Sequence, residues 1–193
     1  MAEKKVILLT AGSVDTAGSG ASWKKFSKKS VTVTNYTAGD VAGYAAKVPG
    51  GVKTTAEALA ATFEGDTAFA HVALGDVDAS ALEDALAKTL AAADRRTLVV
   101  LAAANTLMFY GLGINTKTDS IARAAKAEDI IPTVAYIADL PLPDDTTGAV
   151  LYQVLKETNL KLNEFLKLKE ALTRMEAALQ RDSREPWDKH DCA

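Results

Sequence analysis

Cysteine is nearly missing from this chain. Its one cysteine, Cys192, stands next to the last of 193 residues. A single cysteine excludes a disulfide bond within the chain and any metal site that needs several thiolates. Cys192 itself is interpreted as an ordinary tail residue, and a reactive or intermolecular thiol is the alternative.

Long hydrophobic runs and an excess of basic charge are missing too. The apolar run near the N-terminus, residues 6–9, is too short for a signal-peptide core or a membrane span. The 22 basic residues do not outnumber the 25 acidic ones, and the net charge is −3. We therefore expect a cytoplasmic protein without a membrane partner, and nucleic acid is not a favoured partner either.

What the chain does contain is the composition of a globular domain. Apolar residues make up 48% of the sequence and charged residues 24%, which suffices for a substantial core in one domain. Short β-rich runs alternate with helical patterns. This alternation predicts an α/β fold with a mainly parallel sheet flanked by helices. We expect this core domain to span residues 1–146.

Five runs are predicted as strands, at residues 6–9, 31–36, 68–74, 98–101 and 107–110. The most apolar run, 98–101, is expected at the sheet centre, and 31–36, where Val and Thr alternate, at an edge. Helices are predicted where Thr54 precedes Glu57 and Ser80 precedes Glu83, because that spacing is typical of a capping box. Another helix is expected after Asp129, with a proline in its first turn.

The C-terminal part has a helical pattern from about residue 147 to residue 181. Apolar residues recur there at spacings of three, four or seven, and the sequence predicts a helical arm at 147–185 followed by a polar tail at 186–193. The arm is expected to pair with a second copy or with another protein, and a helix that packs on its own sheet is the alternative. The proposed interaction stripe is Leu155, Leu162, Phe165, Leu172 and Leu179.

The loops after the strands carry the candidate ligand-binding residues. Carboxyl ends of parallel strands meet at one edge of a sheet, where α/β folds bind ligands. The candidates are Thr10, Gly12, Ser13, Asp15, Asp76, Asp78 and Asn105. Two carboxylates without further ligands make an incomplete cation site, so we predict neither a metal ion nor a cofactor. His71, inside an apolar strand, is interpreted as a hydrogen-bonded core histidine rather than a catalytic base.

Two further segments have features of phosphate sites. Residues 12–22, predicted to be a loop, are rich in Gly, Ser and Ala, yet they lack both the Gly-Lys-Ser/Thr triplet and the third glycine of a dinucleotide fingerprint. A flexible connection is the preferred interpretation. A basic cluster follows, in which a phosphate-rich ligand or a solvated helix face are the alternatives. It comprises Trp23, Lys24, Lys25, Phe26, Lys28 and Lys29.

A run of motifs within residues 110–151 resembles a known superfamily. The chain has Gly-Leu-Gly-Ile at 111–114, Asp-Ile-Ile-Pro-Thr at 129–133, Leu-Pro-Leu-Pro at 140–143 and then Gly148. This order resembles the C-terminal part of alkaline phosphatase superfamily proteins, which include sulfatases, phosphodiesterases and cofactor-independent phosphoglycerate mutases. The resemblance implies an alkaline phosphatase-like core, in which two divalent ions activate a Ser, Thr or modified Cys nucleophile.

The chain departs from that superfamily at the metal ligands. The resemblance implies an aspartate at the end of the first strand and an Asp-His-Gly after a later strand, but Ala11 and Ala104-Asn105 stand at the matching positions. Asp76 or Asp78 matches an intervening aspartate, and no histidine follows. An alanine cannot bind a metal ion, and the chain is shorter than such enzymes. No catalytic residue is therefore predicted.

These observations predict a shortened, catalytically degenerate relative of the alkaline phosphatase superfamily that acts by binding or assembly through its C-terminal helix. The alternative, from another functional class, is a protein or small enzyme that binds a small molecule, a nucleotide or a phosphate ester with its strand-end loops.

Overall fold

The computed structural model describes residues 4–15, 20–156 and 168–176. The chain divides into two compact units, Met1–Lys156 and Glu157–Ala193. The predicted stripe residues Leu162, Phe165 and Leu179, the tail at 186–193 and Cys192 lie outside the described residues.

The first unit alternates strands and helices, as the sequence predicts. Its strands are β1 (Lys5–Val14), β2 (Ser30–Thr37), β3 (Val52–Thr54), β4 (Phe69–Val77), β5 (Thr97–Ala103), β6 (Thr106–Gly111) and β7 (Ser120–Lys126). Its α-helices are α1 (Ala21–Lys29), α2 (Val41–Ala46), α3 (Leu59–Thr62), α4 (Ala79–Ala92) and α5 (Ile130–Ala138). Single 3-10 turns lie at Ala127–Asp129 and Tyr152–Val154.

The described strands form one sheet in the order β3-β4-β1-β5-β6-β2-β7. Neighbouring strands are parallel except at β6, which is antiparallel to both β5 and β2. The α/β prediction and the central position of residues 98–101 are confirmed, since β5 is the middle strand and every residue in it is buried. The edge prediction for residues 31–36 is wrong, because β7 pairs along the outer side of β2.

Helices cover both faces of the sheet. Successive strand residues point to opposite faces, so each apolar strand presents side chains to the helices on both sides. On one face, Val6, Leu8, Val100 and their neighbours pack against α2 and α5. On the other, Ile7, Leu9 and Leu101 pack against α1, α3 and α4. The central strands are therefore apolar on both sides, as a doubly covered parallel sheet requires.

Both capping-box predictions fail. Residues 52–54 are strand β3, and the helix after them is reduced to Leu59–Thr62. Instead of forming a capping box, Thr54 hydrogen-bonds Thr62 and Glu57 pairs with Lys88. Helix α4 does form, but Asp78 caps it by accepting a hydrogen bond of 2.8 Å from the Ala81 amide. Glu83 is used elsewhere, at the start of α1.

The predicted loop at 12–22 begins and ends in regular structure, and residues 16–19 lie outside the described ranges. Strand β1 continues to Val14, because residues beyond Thr10 still pair with β4 across two register shifts. Helix α1 begins at Ala21. Glu83 of α4 supplies its cap, accepting hydrogen bonds from the amides of Ser22 at 2.6 Å and Trp23 at 3.0 Å. Those two amides lower the pKa of the Glu83 carboxyl.

The prediction that a helix begins near residue 147 is wrong for residues 147–156. This segment, here called the closing segment, is extended apart from its single 3-10 turn and belongs to the first unit. The Leu151 amide donates to Thr133 Oγ1 at 2.9 Å, and the Asn115 amide donates to the Val154 carbonyl at 2.9 Å. Leu151, Val154 and Leu155 are buried, so their helix-like spacing reflects contact with the core.

The second unit is described only at residues 168–176, which form helix α6. Glu170 and Arg174 form an ion pair along it, as residues four apart on a helix do. Among the residues that the structure describes, no helix combines the length and apolar character that crossing a membrane demands.

Candidate functional site

A cavity of about 360 Å³ opens where β1, β4 and β5 end. Parallel strands bring their carboxyl ends to one edge of a sheet, which is where α/β proteins bind ligands. A volume of this size is at the lower end of the range for small-molecule sites. Its walls are mostly methyl groups and backbone, from Thr10, Ala11, Gly12, Tyr36, Ala38, Gly39, Asp40, Val41, Ala42, Ala73, Gly75, Ala102, Ala103 and Ala104.

The cavity exists because small residues follow large ones along each strand. In β5, Leu98 to Leu101 fill the core, and the small side chains of Ala102 and Ala103 then border the cavity. In β1, the register with β4 shifts on both sides of Ala11. Such irregularities bend a strand and re-aim its residues, and they are common beside functional sites.

Thr10 is the hydroxyl group in the floor of this cavity. Its Oγ1 and the Nε2 of His71 on β4 share a hydrogen bond of 2.8 Å. His71 is only 5% exposed, and burial together with the positive charge of Lys53 on β3 lowers the pKa of its imidazole. A lowered pKa favours the neutral ring, whose Nε2 accepts the hydrogen bond from the Thr10 hydroxyl in one tautomer and donates to it in the other. The prediction of a hydrogen-bonded core histidine is confirmed, with the addition that its partner faces the cavity.

The opposite wall comes from the end of β2 and the start of α2. Burial raises the pKa of the Tyr36 phenol to about 12, so the hydroxyl stays protonated at neutral pH. Asp40 caps α2, and its Oδ1 accepts a hydrogen bond of 2.8 Å from the Gly43 amide. The cavity thus has a methyl-lined body, two hydroxyls and one carboxylate.

The positions that the resemblance matched to metal ligands converge here. Ala11 and Ala104 line the same cavity, and the Ala104 amide donates to the Gly12 carbonyl at 2.7 Å. Asp76 lies against Gly12, so closely that a Cβ at position 12 would overlap its carboxylate. Within the described ranges, no group of three or more His, Cys, Asp or Glu side chains is placed to share one ion.

The other predicted residues have structural partners or lie apart from the cavity. Both amide atoms of Asn105 bind the backbone of Val14, at 3.3 and 3.1 Å. Asp78 caps α4. Ser13 and Asp15 are exposed residues near the end of β1 and do not line the cavity. Of the seven candidates, Thr10 and Gly12 line it and Asp76 touches its wall.

Tyr36, Asp40 and the alanines of the wall other than Ala11 and Ala104 were not predicted. Tyr36 and Asp40 follow the second strand in sequence, and they reach the site because β6 runs backwards and places β2 on its far side. An Asp that precedes an apolar run is a recognisable cap signal, and it would have located the start of α2. Short alanine runs after a strand carry no comparable signal.

The two described members of the predicted interaction stripe, Leu155 and Leu172, lie in different environments. Leu155 is 2% exposed and bridges Ile114, so it belongs to the core rather than to an arm. Leu172 lies on α6 with Leu168 and Met175, and these three side chains are 58, 70 and 64% exposed, respectively. Spacings of four and three residues place them on one face of the helix.

The chain was compared with known proteins at three levels. No protein-family model matches it, and no curated protein or solved structure is significantly similar to it.

Proposed function

We propose that this chain is a catalytically degenerate relative of the alkaline phosphatase superfamily that acts by binding or assembly instead of hydrolysis. The motifs within residues 110–151 support the relationship, and the chemistry of the strand-end cavity supports the loss of hydrolysis. A zinc or magnesium site needs several oxygen, nitrogen or sulfur ligands around each ion.

The observation that carries this proposal is the composition of the cavity wall. Ala11 and Ala104 face one space beside Asp76, at the positions that the resemblance assigns to metal ligands. Methyl groups stand there instead of carboxylates. Asp40 lines the cavity and Asp76 touches its wall, but within the described residues no group of three or more potential ligand side chains forms that could hold an ion to polarise a phosphate or sulfate ester.

Turnover and metal binding test the proposal together. The purified chain, assayed with Zn²⁺, Mn²⁺ or Mg²⁺, should hydrolyse neither p-nitrophenyl phosphate, bis-p-nitrophenyl phosphate nor p-nitrophenyl sulfate above the blank. The double variant Ala11→Asp/Ala104→Asp places two carboxylates near Asp76 and should gain calorimetrically measurable affinity for a divalent ion. Metal-dependent hydrolysis by the unaltered chain would overturn the proposal.

The assembly part rests on the exposed stripe of α6. Three large apolar side chains on one helix face favour association, since covering them removes apolar surface from water. We propose that α6 pairs with a second copy of the chain or with a protein partner. Leu172→Glu should weaken self-association measured by light scattering, whereas Thr173→Glu, which changes the opposite face of the same helix, should not. Equal behaviour of both variants and the unaltered chain contradicts the role of the stripe.

A second candidate function, small-molecule binding in the cavity, is favoured by the Thr10–His71 hydrogen bond. The pair offers a ligand one polarised hydroxyl beside a methyl-lined wall, the combination typical of small-molecule sites. A thermal-shift screen of nucleotides, phosphate esters and divalent ions should then find a stabilising compound. Ala73→Leu, which fills the cavity, should abolish that stabilisation, and Ala124→Leu on the exposed side of β7 should leave it unchanged.

A further inference from the structure

A second cleft lies at the other end of the sheet from the strand-end cavity. It has a volume of about 450 Å³ and is formed by the last turns of α1 and α4, the loop after α4 and the end of β6. Because β6 is antiparallel to β5, its last residues, Tyr110 and Gly111, lie beside the beginning of β5. This cleft shares no lining residue with the strand-end cavity.

Three cations line this cleft. Lys25 and Lys29 are one helical turn apart on α1, and Arg95 comes from the loop after α4. All three are exposed, and none of them forms an ion pair with a carboxylate in the part of the chain that the structure describes. Cations that converge from two elements and outnumber the nearby carboxylates form a site for an anion.

Asp94 is the one carboxylate in the lining, and it is already engaged. Its Oδ1 accepts hydrogen bonds from the Arg96 amide at 2.7 Å and the Thr97 hydroxyl at 3.0 Å. The Arg96 amide in particular lowers the pKa of the Asp94 carboxyl. The lining therefore keeps an excess of positive charge although the chain as a whole is acidic.

The remaining wall is largely apolar and aromatic. Leu90, Ala93 and the half-buried ring of Tyr110 supply its apolar surface, Gly111 and Thr116 complete the lining, and Tyr110 stacks on Phe26 with ring centroids 5.3 Å apart. That stack fixes the Tyr110 ring, and a fixed aromatic surface beside cations suits a ligand that has both a ring and charged groups. Lys25, Lys29 and Arg95 against the single carboxylate of Asp94 leave an excess of positive charge in the lining, which favours a ligand with more than one anionic group.

We propose that this cleft binds a small molecule with an apolar ring and at least two phosphate or sulfate groups. The anionic groups lie between Arg95 and the α1 lysines, and the ring lies against Tyr110 and Leu90. The concave shape and small volume favour a small ligand over a nucleic acid strand, which needs an open track of cations.

Charge-reversal pairs on one helix test the assignment with ATP as the probe. Lys25→Glu/Lys29→Glu reverses the two cleft lysines, and Lys24→Glu/Lys28→Glu reverses two exposed lysines of α1 that do not line the cleft. Both variants change the net charge equally, so a long-range field would affect them alike. In calorimetric titrations the first should weaken ATP binding at least about tenfold, because charge-assisted hydrogen bonds to phosphate are lost. The second should change it by less than about twofold.

Arg95→Gln and Arg96→Gln form a second matched pair, from another element. The first should weaken ATP binding and the second should not, since Arg96 does not line the cleft. Tripolyphosphate, which lacks a ring, should bind more weakly than ATP, and adenosine, which lacks charge, should not bind.

Three outcomes would overturn the proposal. They are the absence of ATP binding, equal weakening by both members of a pair, and tighter binding of a single-stranded oligonucleotide than of ATP. The last outcome would assign the surface to nucleic acid. All four lysines are exposed, so we expect both double variants to fold like the unaltered chain.

Discussion

Two buried threonines differ in how their hydroxyl groups are paired. Thr133 is fully buried in α5, donates to the Asp129 carbonyl at 2.7 Å and accepts from the Leu151 amide at 2.9 Å. Thr89 is fully buried in α4, and its hydroxyl has no hydrogen-bond partner among the residues that the structure describes. A buried polar group without a partner loses its water and gains nothing in return.

Replacing each threonine by valine, which has the same shape, should therefore have opposite effects. Thr89→Val should raise the free energy of unfolding by about 1 kcal/mol, because it removes an unpaired hydroxyl. Thr133→Val should lower it by about 1–3 kcal/mol, because the buried Leu151 amide loses its acceptor. Urea unfolding with an unchanged slope would measure both values. A loss of stability in Thr89→Val would show that its hydroxyl is paired.

His71 makes stability depend on pH. Its folded pKa lies below the ordinary value of 6.5, mainly because burial disfavours the charged ring. The unfolded chain therefore takes up a proton at a higher pH than the folded chain does. Stability should be fully present above about pH 6.5 and should fall as the pH drops from there through the folded pKa.

Two glutamine variants separate this effect from other titrations. His71→Gln should flatten the decline in the free energy of unfolding between pH 7 and the folded pKa of His71. His190→Gln, at the other histidine of the chain, is the matched comparison for loss of a histidine at another position. A decline that survives in His71→Gln would assign it to other groups.

At the scale of elements, α1 depends on α4 for its N-terminal cap. Glu83 accepts hydrogen bonds from the first free amides of α1, so the two helices are joined by a cap as well as by apolar contact. Glu83→Gln removes the charge but keeps one acceptor oxygen, and Glu83→Ala removes both acceptors. Stability should fall in that order, with the larger loss in the alanine variant.

Amide hydrogen exchange of Ser22 and Trp23 measures the effect locally. Exchange should speed up in Glu83→Ala and less so in Glu83→Gln. Asp84→Ala is the matched control, because Asp84 pairs with Lys88 on the outside of α4. Unchanged protection of Ser22 and Trp23 in Glu83→Ala would exclude the cap.

The elements that the sequence predicts well are those whose local pattern agrees with their surroundings. β5 is the middle strand with both faces covered, so an unbroken apolar run identifies it. β7 was missed because it is rich in alanine, a helix former, and adopts strand structure through its pairing with β2. The closing segment was read as helix because Leu151 and Leu155 are four residues apart, yet long-range hydrogen bonds hold it extended.

The candidate site was predictable in part, at the ends of β1, β4 and β5. Thr10 and Gly12 could be named because strand ends carry sites in parallel sheets. Tyr36 and Asp40 required the strand order, which no local pattern specifies. Asn105 was named for its position, but its amide fixes the backbone of Val14 instead of facing a ligand.

For the whole molecule, the closing segment ties the last part of the first unit to the centre of the fold. Leu155 is buried against Ile114, and the Lys156 amide donates to the Gly113 carbonyl at 2.8 Å. Leu155→Ala should lower the free energy of unfolding by about 2–5 kcal/mol through the lost burial and the remaining void. Leu142→Ala, at a residue 49% exposed, should change it by less than about 0.5 kcal/mol.

Chemical unfolding followed by tryptophan fluorescence and by circular dichroism would measure this prediction. Both signals should shift together in Leu155→Ala if the first unit unfolds as one cooperative unit. An unaltered unfolding midpoint in Leu155→Ala would contradict the burial of residue 155 and would favour the exposed helical arm that its spacing predicts.

The reversed strand β6 has a consequence for communication within the protein. β5 and β6 form a hairpin whose turn borders the strand-end cavity and whose open end borders the second cleft. The rise per residue of a strand puts these two ends roughly 20 Å apart. A one-residue slip of this ladder would move every side chain to the wrong face. The hairpin is thus a rigid element between the strand-end cavity and the second cleft. Binding of a ligand at one of these sites should therefore leave the affinity of the other unaltered.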